Sequence, residues 1–292
     1  MIKITILILL LIAAWLSLRS LEPRSLFYPD WTMMANPSVS RMAYEDLHLL
    51  AEDGTKIHGW WIPAAHPGGP TILFCHGNAG NISHRLDKAV RLHQAGAALL
   101  FFDYRGYGLS AGTPSEQGTY QDAEAAYQWF VKREALSVGN AAGDTLHASR
   151  STPHIVFYGE SLGCAVATEM AVRHPEARGL LLESPFTSTV AMAKRIFPWL
   201  PVRWIIRYRY DTLSKIPKIK MPLLILHSPQ DEIVPFEMGK ELFAAAPEPK
   251  RLVEMQGGHN DGYVDFGERY IAEIRRFLES LPITPPASGG LH

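Results

Sequence analysis

Gly159-Glu160-Ser161-Leu162-Gly163 follows the apolar run Ile155-Val156-Phe157-Tyr158 and precedes a small, helix-compatible stretch at residues 164–171. Strand, sharp turn and helix is the setting in which Gly-x-Ser-x-Gly builds a nucleophile. The turn holds serine in a strained conformation with its hydroxyl exposed, and the glycines leave room for close packing. A second match, Gly108-Leu109-Ser110-Ala111-Gly112, follows Asp103-Tyr104-Arg105-Gly106 and has no strand directly before it. It reads as a glycine-rich loop. Serine hydroxyl is a poor nucleophile at neutral pH, so Ser161 needs a base, and the base needs an orienting acid. Downstream, the run at 223–227 ends in Ser228-Pro229-Gln230-Asp231-Glu232, and the run at 251–255 leads into Gln256-Gly257-Gly258-His259-Asn260. Each places a partner in the loop after a parallel strand, at the edge where sites in open α/β sheets collect. Asp231 is the candidate acid and His259 the candidate base. His227 is a rival base by residue type, but it ends the strand already committed to Asp231.

Acyl transfer also needs donors for the oxyanion. His76-Gly77-Asn78-Ala79-Gly80-Asn81 follows the strand-like run at 71–75, where one backbone donor is expected. The Asn78 N–H is chosen, with that of Gly77 or Ala79 as the alternative. The second donor is the N–H of Leu162, directly after the nucleophile. His76 itself is read as structural.

These loops require a scaffold. Residues 45–50 and 55–63, joined at Asp53-Gly54, read as a β-hairpin. Runs at 71–75, 98–103, 155–158, 179–182, 223–227 and 251–255 are mostly short, continuous and apolar, as in parallel strands buried on both faces. Helices are expected at 82–95, 114–133 and 161–172. The second opens on Thr113, Pro114 and Glu116, a capping box with proline at the first helical position. Ile271, Ile274, Phe277, Leu278 and Leu281 give the last helix one apolar face. The expectation is one α/β domain over residues 25–284, antiparallel at its start and mostly parallel afterwards, with helices on both faces.

Two stretches break the rhythm. Residues 137–153, rich in Gly, Ala and Ser, read as a surface loop. Residues 186–220 follow another strand end on the catalytic edge and read as a small helical lid. Within them, 194–210 mixes five cationic with five aromatic residues. Its plain reading packs the apolar side chains on the domain; its sharper reading turns basic residues toward anionic headgroups, with Trp and Tyr at the boundary. The tail at 285–292 is expected to be disordered.

With 292 residues, 47% hydrophobic and 20% charged, the chain can bury one substantial core. A net charge of −1 gives no global pull toward nucleic acid, and neither a P-loop nor a zinc-type cysteine spacing occurs. Cys75 and Cys164 are too few for a disulfide framework and read as buried thiols. Residues 4–18 carry no charge, with Lys3 before them and Arg19 after. As a helix they span about 22 Å, short of the roughly 30 Å hydrocarbon core. Snorkelling of Lys3 and Arg19 extends that reach, so residues 1–24 are expected to be an uncleaved single-pass anchor. A cleaved secretory signal is the rival, weakened by Trp15 at the position after Ala13-Ala14 where a small residue is needed. A core helix is the third reading. The side of the membrane is not readable from the flanking charges.

Taken together, the chain resembles the α/β-hydrolase superfamily, and within it the often membrane-tethered α/β-hydrolase-domain proteins with a His-Gly-Asn oxyanion loop. The resemblance covers residues 45–281. It rests on His76-Gly77-Asn78-Ala79-Gly80-Asn81, Asp103-Tyr104-Arg105-Gly106-Tyr107-Gly108, Gly159-Glu160-Ser161-Leu162-Gly163, Asp231-Glu232-Ile233-Val234-Pro235 and Gly258-His259-Asn260. It implies esterases, thioesterases acting on acylated proteins, and lipid hydrolases. The expected function is hydrolysis of a carboxylic ester or thioester with an apolar acyl group, through an acyl-enzyme on Ser161 and without a cofactor. An amidase or peptidase on the same triad, and a non-catalytic membrane-associated binding protein, are the alternatives.

Overall fold

The computed structural model describes residues 2–66, 69–141 and 154–282. In chain order the elements are α1 (Ile2–Leu26), β1 (Tyr28–Pro29), β2 (Glu45–Leu50), β3 (Lys56–Ile62), β4 (Thr71–Cys75), β5 (Ala79–Gly80), α2 (Leu86–Gln94), β6 (Ala98–Phe102), α3 (Glu116–Ala141), β7 (Ile155–Glu160), α4 (Leu162–Arg173), β8 (Gly179–Glu183), α5 (Thr189–Ile196), α6 (Val202–Ile205), β9 (Leu223–His227), α7 (Phe236–Ala245), β10 (Lys250–Glu254), α8 (Gly262–Asp265) and α9 (Glu268–Ser280).

Eight strands form one sheet in the order β2-β3-β6-β4-β7-β8-β9-β10. β2 pairs with β3, and β3 with β6, antiparallel; all the other neighbours run parallel. The order reverses at β4, which lies between β6 and β7, so a crevice opens at the strand ends there. Every residue of β4, β6, β8 and β9 is buried. Their side chains alternate between two cores, as the period-2 geometry of a strand requires. Leu73, Leu100, Phe157, Leu182 and Ile225 face one core, shared with α3, α4 and α7. Ile72, Phe74, Phe101, Tyr158 and Leu224 face the other, closed by α2 and α9.

One expectation is corrected. α3 continues to Ala141, so residues 137–141 of the expected surface loop are helical; residues 142–153 and the tail at 285–292 lie outside the described residues. The N-terminal segment is helical through Leu26, but among the described residues no helix is long and apolar enough to cross a membrane.

Beyond β4 the chain meets a polar pocket of the core. His76 is fully buried, with the rings of Tyr104 and Tyr107 at 4.2 and 5.1 Å. Its Nδ1 lies 2.7 Å from the Gly77 carbonyl, an obligate acceptor, so Nδ1 carries the proton. Nε2 accepts from the Tyr104 N–H at 3.4 Å. Burial lowers the pKa of His76 to about 4, against the upward pull of Asp103. The ring is therefore neutral in the fold, whereas the same ring in the unfolded chain takes a proton near 6.5. Its contribution to stability is complete above pH 6.5 and is lost as pH falls toward 4. Over that window the unfolding free energy should fall more steeply in the native protein than in His76→Asn, by roughly 3 kcal/mol. Urea titrations across that range test this, and equal slopes in the two proteins would show that the buried ring is protonated.

Candidate active site

Ser161 sits between β7 and α4 with φ +51°, a left-handed conformation that an L-residue keeps only when its surroundings impose it. The cause is the packing of its flanking glycines. A Cβ at Gly163 would lie 1.9 Å from the Cys75 carbonyl oxygen, and one at Gly159 would lie 2.4 Å from Cys164 Cα. The Ser161 N–H donates to the Glu183 carbonyl at 2.9 Å, fastening the turn to β8.

The loops after β9 and β10 converge on this serine. His259 Nε2 lies 3.0 Å from Ser161 Oγ, and His259 Nδ1 lies 2.8 Å from Asp231 Oδ2. Because the carboxylate accepts at Nδ1, the Nε2 lone pair faces the serine hydroxyl. Asp231 Oδ1 accepts from the N–H groups of Ile233 and Val234 at 3.0 and 2.7 Å. Burial pushes its pKa up, but hydrogen bonds from His227 and His259 and from the Val234 amide outweigh it and hold the carboxyl well below the usual range. His227 Nε2 lies 3.3 Å from the same Oδ2 and 3.0 Å from the Val234 carbonyl, so its one N–H is shared between the two acceptors. The rival base is therefore a second imidazole behind the acid, fully buried and remote from solvent. Glu232 Oε2 accepts from the His259 N–H at 3.0 Å and positions the histidine loop.

Gly77, Asn78, Ala79 and Leu162 line the same cavity as Ser161 and His259. Leu162 opens α4, so its N–H is among those left without an intrahelical acceptor. His76, through Gly77 O, grips the peptide group that carries the Asn78 N–H. The second serine motif has no such setting: Ser110 is buried, donates to the Asp103 carbonyl and accepts from the His58 N–H.

Sequence reading missed an ionic cluster beneath the turn. Lys88 of α2 reaches Glu160 Oε2 at 2.6 Å and Glu183 Oε1 at 2.9 Å, and Arg85 reaches Glu160 Oε1 at 3.2 Å. The hydroxyls of Tyr158 and Tyr270 both donate to Glu183. Burial opposes the charge on Lys88, but the two carboxylates outweigh it and raise its pKa; Glu160 is lowered by the reciprocal attraction. The available signal was a charged residue at the end of each of two apolar strands, Glu160 and Glu183.

The cavity has a volume of about 790 Å³. Phe186, Met192, Ile196, Phe197 and Ile206 of the expected lid region line one side, where α5 and α6 form. The end of α1 adds Glu22, Ser25 and Leu26 to the wall, a contribution the sequence did not signal.

The family described as "Serine aminopeptidase, S33" (Hydrolase_4) matches residues 68–213. The "Uncharacterized protein Rv2307c" of Mycobacterium tuberculosis is 38% identical over 89% of this chain and 88% of its own length. The "Alpha/beta hydrolase domain-containing protein WAV2" of Arabidopsis thaliana is 34% identical over 83% of this chain and 81% of its own. Among solved structures, the Pyrococcus furiosus esterase Pf2001 superposes with a TM-score of 0.68 at 20% identity, covering 88% of this chain and 97% of that one. Sheet order, serine turn and sequence likeness agree, and the chain belongs to the Hydrolase_4 (serine aminopeptidase, S33) family of α/β-hydrolases.

Proposed function

We propose that the chain is a serine hydrolase of carboxylic esters or thioesters with an apolar acyl group. The reading is carried by the continuous Ser161–His259–Asp231 hydrogen-bond chain, at 3.0 and 2.8 Å, opening on a cavity walled by the lid's apolar side chains. His259 Nε2 takes the Ser161 proton as Oγ attacks the acyl carbon. The Asn78 and Leu162 N–H groups hold the oxyanion that develops. Collapse of the tetrahedral adduct expels the alcohol or thiol, protonated by His259, and leaves the acyl group on Ser161. Water, deprotonated by the same imidazole, then attacks the acyl carbon, and the acid leaves as Ser161 recovers its proton.

A second reading, amide hydrolysis on the same residues, draws on the aminopeptidase description of the family. Matched p-nitrophenyl esters and aminoacyl p-nitroanilides separate the two by their kcat/KM.

We further propose a membrane surface as partner. Trp199 and Trp204 are 75% and 78% exposed, and the exposed Ile196 and Phe197 lie beside them in the lid. Lys194, Arg195, Arg203 and Arg207 are exposed in the same segment. Arg19 stacks on Trp15 at 4.5 Å, and the Trp15 Nε1–H donates to the Trp204 carbonyl at 2.9 Å, bringing α1 to the lid. Such a face suits shallow insertion into an anionic interface.

Three outcomes are expected. A fluorophosphonate probe labels the native protein and not Ser161→Ala, and p-nitrophenyl esters from acetate to palmitate give a chain-length optimum. Failure of folded native protein to label would favour a non-catalytic binding role. Asp231→Asn lowers kcat by about a thousandfold or more with KM little changed; a loss below about tenfold would remove Asp231 from the triad. Full-length protein sediments with phosphatidylserine vesicles in a salt-sensitive manner, and binding that ignores both lipid charge and salt would exclude the basic lid from docking.

A further inference from the structure

The last turn of α1 and the segment that follows it touch both halves of the site. The Tyr28 N–H donates to the Asn78 carbonyl at 2.9 Å, and Asn78 Nδ2 donates to the Leu26 carbonyl at 3.0 Å. β1 pairs in parallel with β5, and the Asp30 N–H reaches the Gly80 carbonyl at 3.1 Å. Asn81 Nδ2 returns two bonds, to the carbonyls of Asp30 and Thr32, at 2.9 and 2.8 Å. In the other direction, Glu22 Oε1 accepts from the N–H groups of Arg207 and Tyr208, both at 2.8 Å. Phe27 is buried, with the rings of Tyr208 and Tyr210 at 5.6 and 6.4 Å.

We propose that residues 22–32 are a positioning strap that fixes the oxyanion loop and the lid relative to Ser161. The N-terminal segment then sets the rate of acyl transfer and not only the placement of the protein. The inference rests on reading Ser161 as the acyl-transfer nucleophile. An oxyanion donor is effective only when held about 2.7–3.1 Å from the place where charge develops, and a misplaced donor loses most of its value. The loop at 77–81 leaves β4 and, among the described residues, has two-residue strand pairing with the strap alone. Asn78 takes the strap's grip twice, once at its carbonyl and once at its side chain, and Tyr107 Oη supplies a third tie to the same carbonyl at 2.7 Å. Glu22 extends the same segment to the lid, so loop and lid share one support.

The test uses the full-length protein. Tyr28→Pro deletes the N–H that holds Asn78, whereas Tyr28→Ala keeps it. Asn78→Ala removes the tie to Leu26 and leaves the Asn78 backbone N–H in place. Each variant is measured for kcat and KM on p-nitrophenyl butyrate, for inhibition by an alkyl boronic acid that forms a tetrahedral adduct, and for melting temperature. In Tyr28→Pro and Asn78→Ala, kcat should fall by about tenfold to a hundredfold and boronate affinity by a similar factor, with KM little changed. Tyr28→Ala should lose about tenfold less than Tyr28→Pro. A strap that only stabilises the fold would lower the melting temperature without this parallel loss. If Tyr28→Pro does not fold, Asn78→Ala decides. Retention of kcat and boronate affinity within about twofold in the folded variants, with Ser161→Ala inactive, overturns the strap. Turnover that survives in Ser161→Ala overturns the hydrolase reading beneath it.

Discussion

The carbonyl oxygen of Cys75 and the α-carbon of Gly163 meet with room for hydrogen and nothing larger. That contact brings the end of β4 against the start of α4, through residues 88 positions apart in the sequence. Once they touch, the turn between β7 and α4 must tighten, and Ser161 is forced to positive φ. The same contact sets the loop at 77–81 beside the first free N–H of α4. A side chain at position 163 would separate Ser161 from that loop, and the geometry around both would open together.

Beneath the turn lies a second constraint, of opposite character. Lys88 and Glu183 are charges withdrawn from water, with Glu160 partly covered beside them, and burying such groups costs several kcal/mol per ion unless partners satisfy them. Here they are satisfied: Lys88 spans two carboxylates, Arg85 adds a cation, and two tyrosines complete the acceptors of Glu183. Apolar packing could fill the same volume. The ionic version differs in being directional, and it ties the ends of β7 and β8 to α2 and α9 at the level of the serine. Removing one member would leave an uncompensated charge in the core, so the cluster is maintained as a unit.

Much of this was legible in the sequence because each decisive feature was local. A parallel strand buried on both faces must be a short apolar run, and residues 71–75 and 223–227 appear as strands over those same limits. Ser161, Asp231 and His259 could be chosen because each lies directly after such a run. What stayed hidden was non-local. Lys88 pairs with carboxylates 72 and 95 positions away, and an apolar periodicity says nothing about which charge will be covered. The strap binds through backbone groups at Leu26, Tyr28 and Asp30, whose identities carry little of the information. Residues 137–141 continue a helix through small residues without periodicity, because one turn added to an existing helix needs no new nucleus.

Asp231 is held by two imidazoles, His259 toward the serine and His227 from within the core. General-base catalysis asks its histidine to change partners, facing serine in one step and the leaving group or water in the next. A lone acid–base pair resists such motion, since each swing of the ring would strand a carboxylate away from water. With His227 and the Ile233 and Val234 amides in place, Asp231 keeps its partners whichever way His259 turns. In the proposed reaction Asp231 would serve as a fixed bearing for the His259 ring, its charge held by partners that do not depend on that ring.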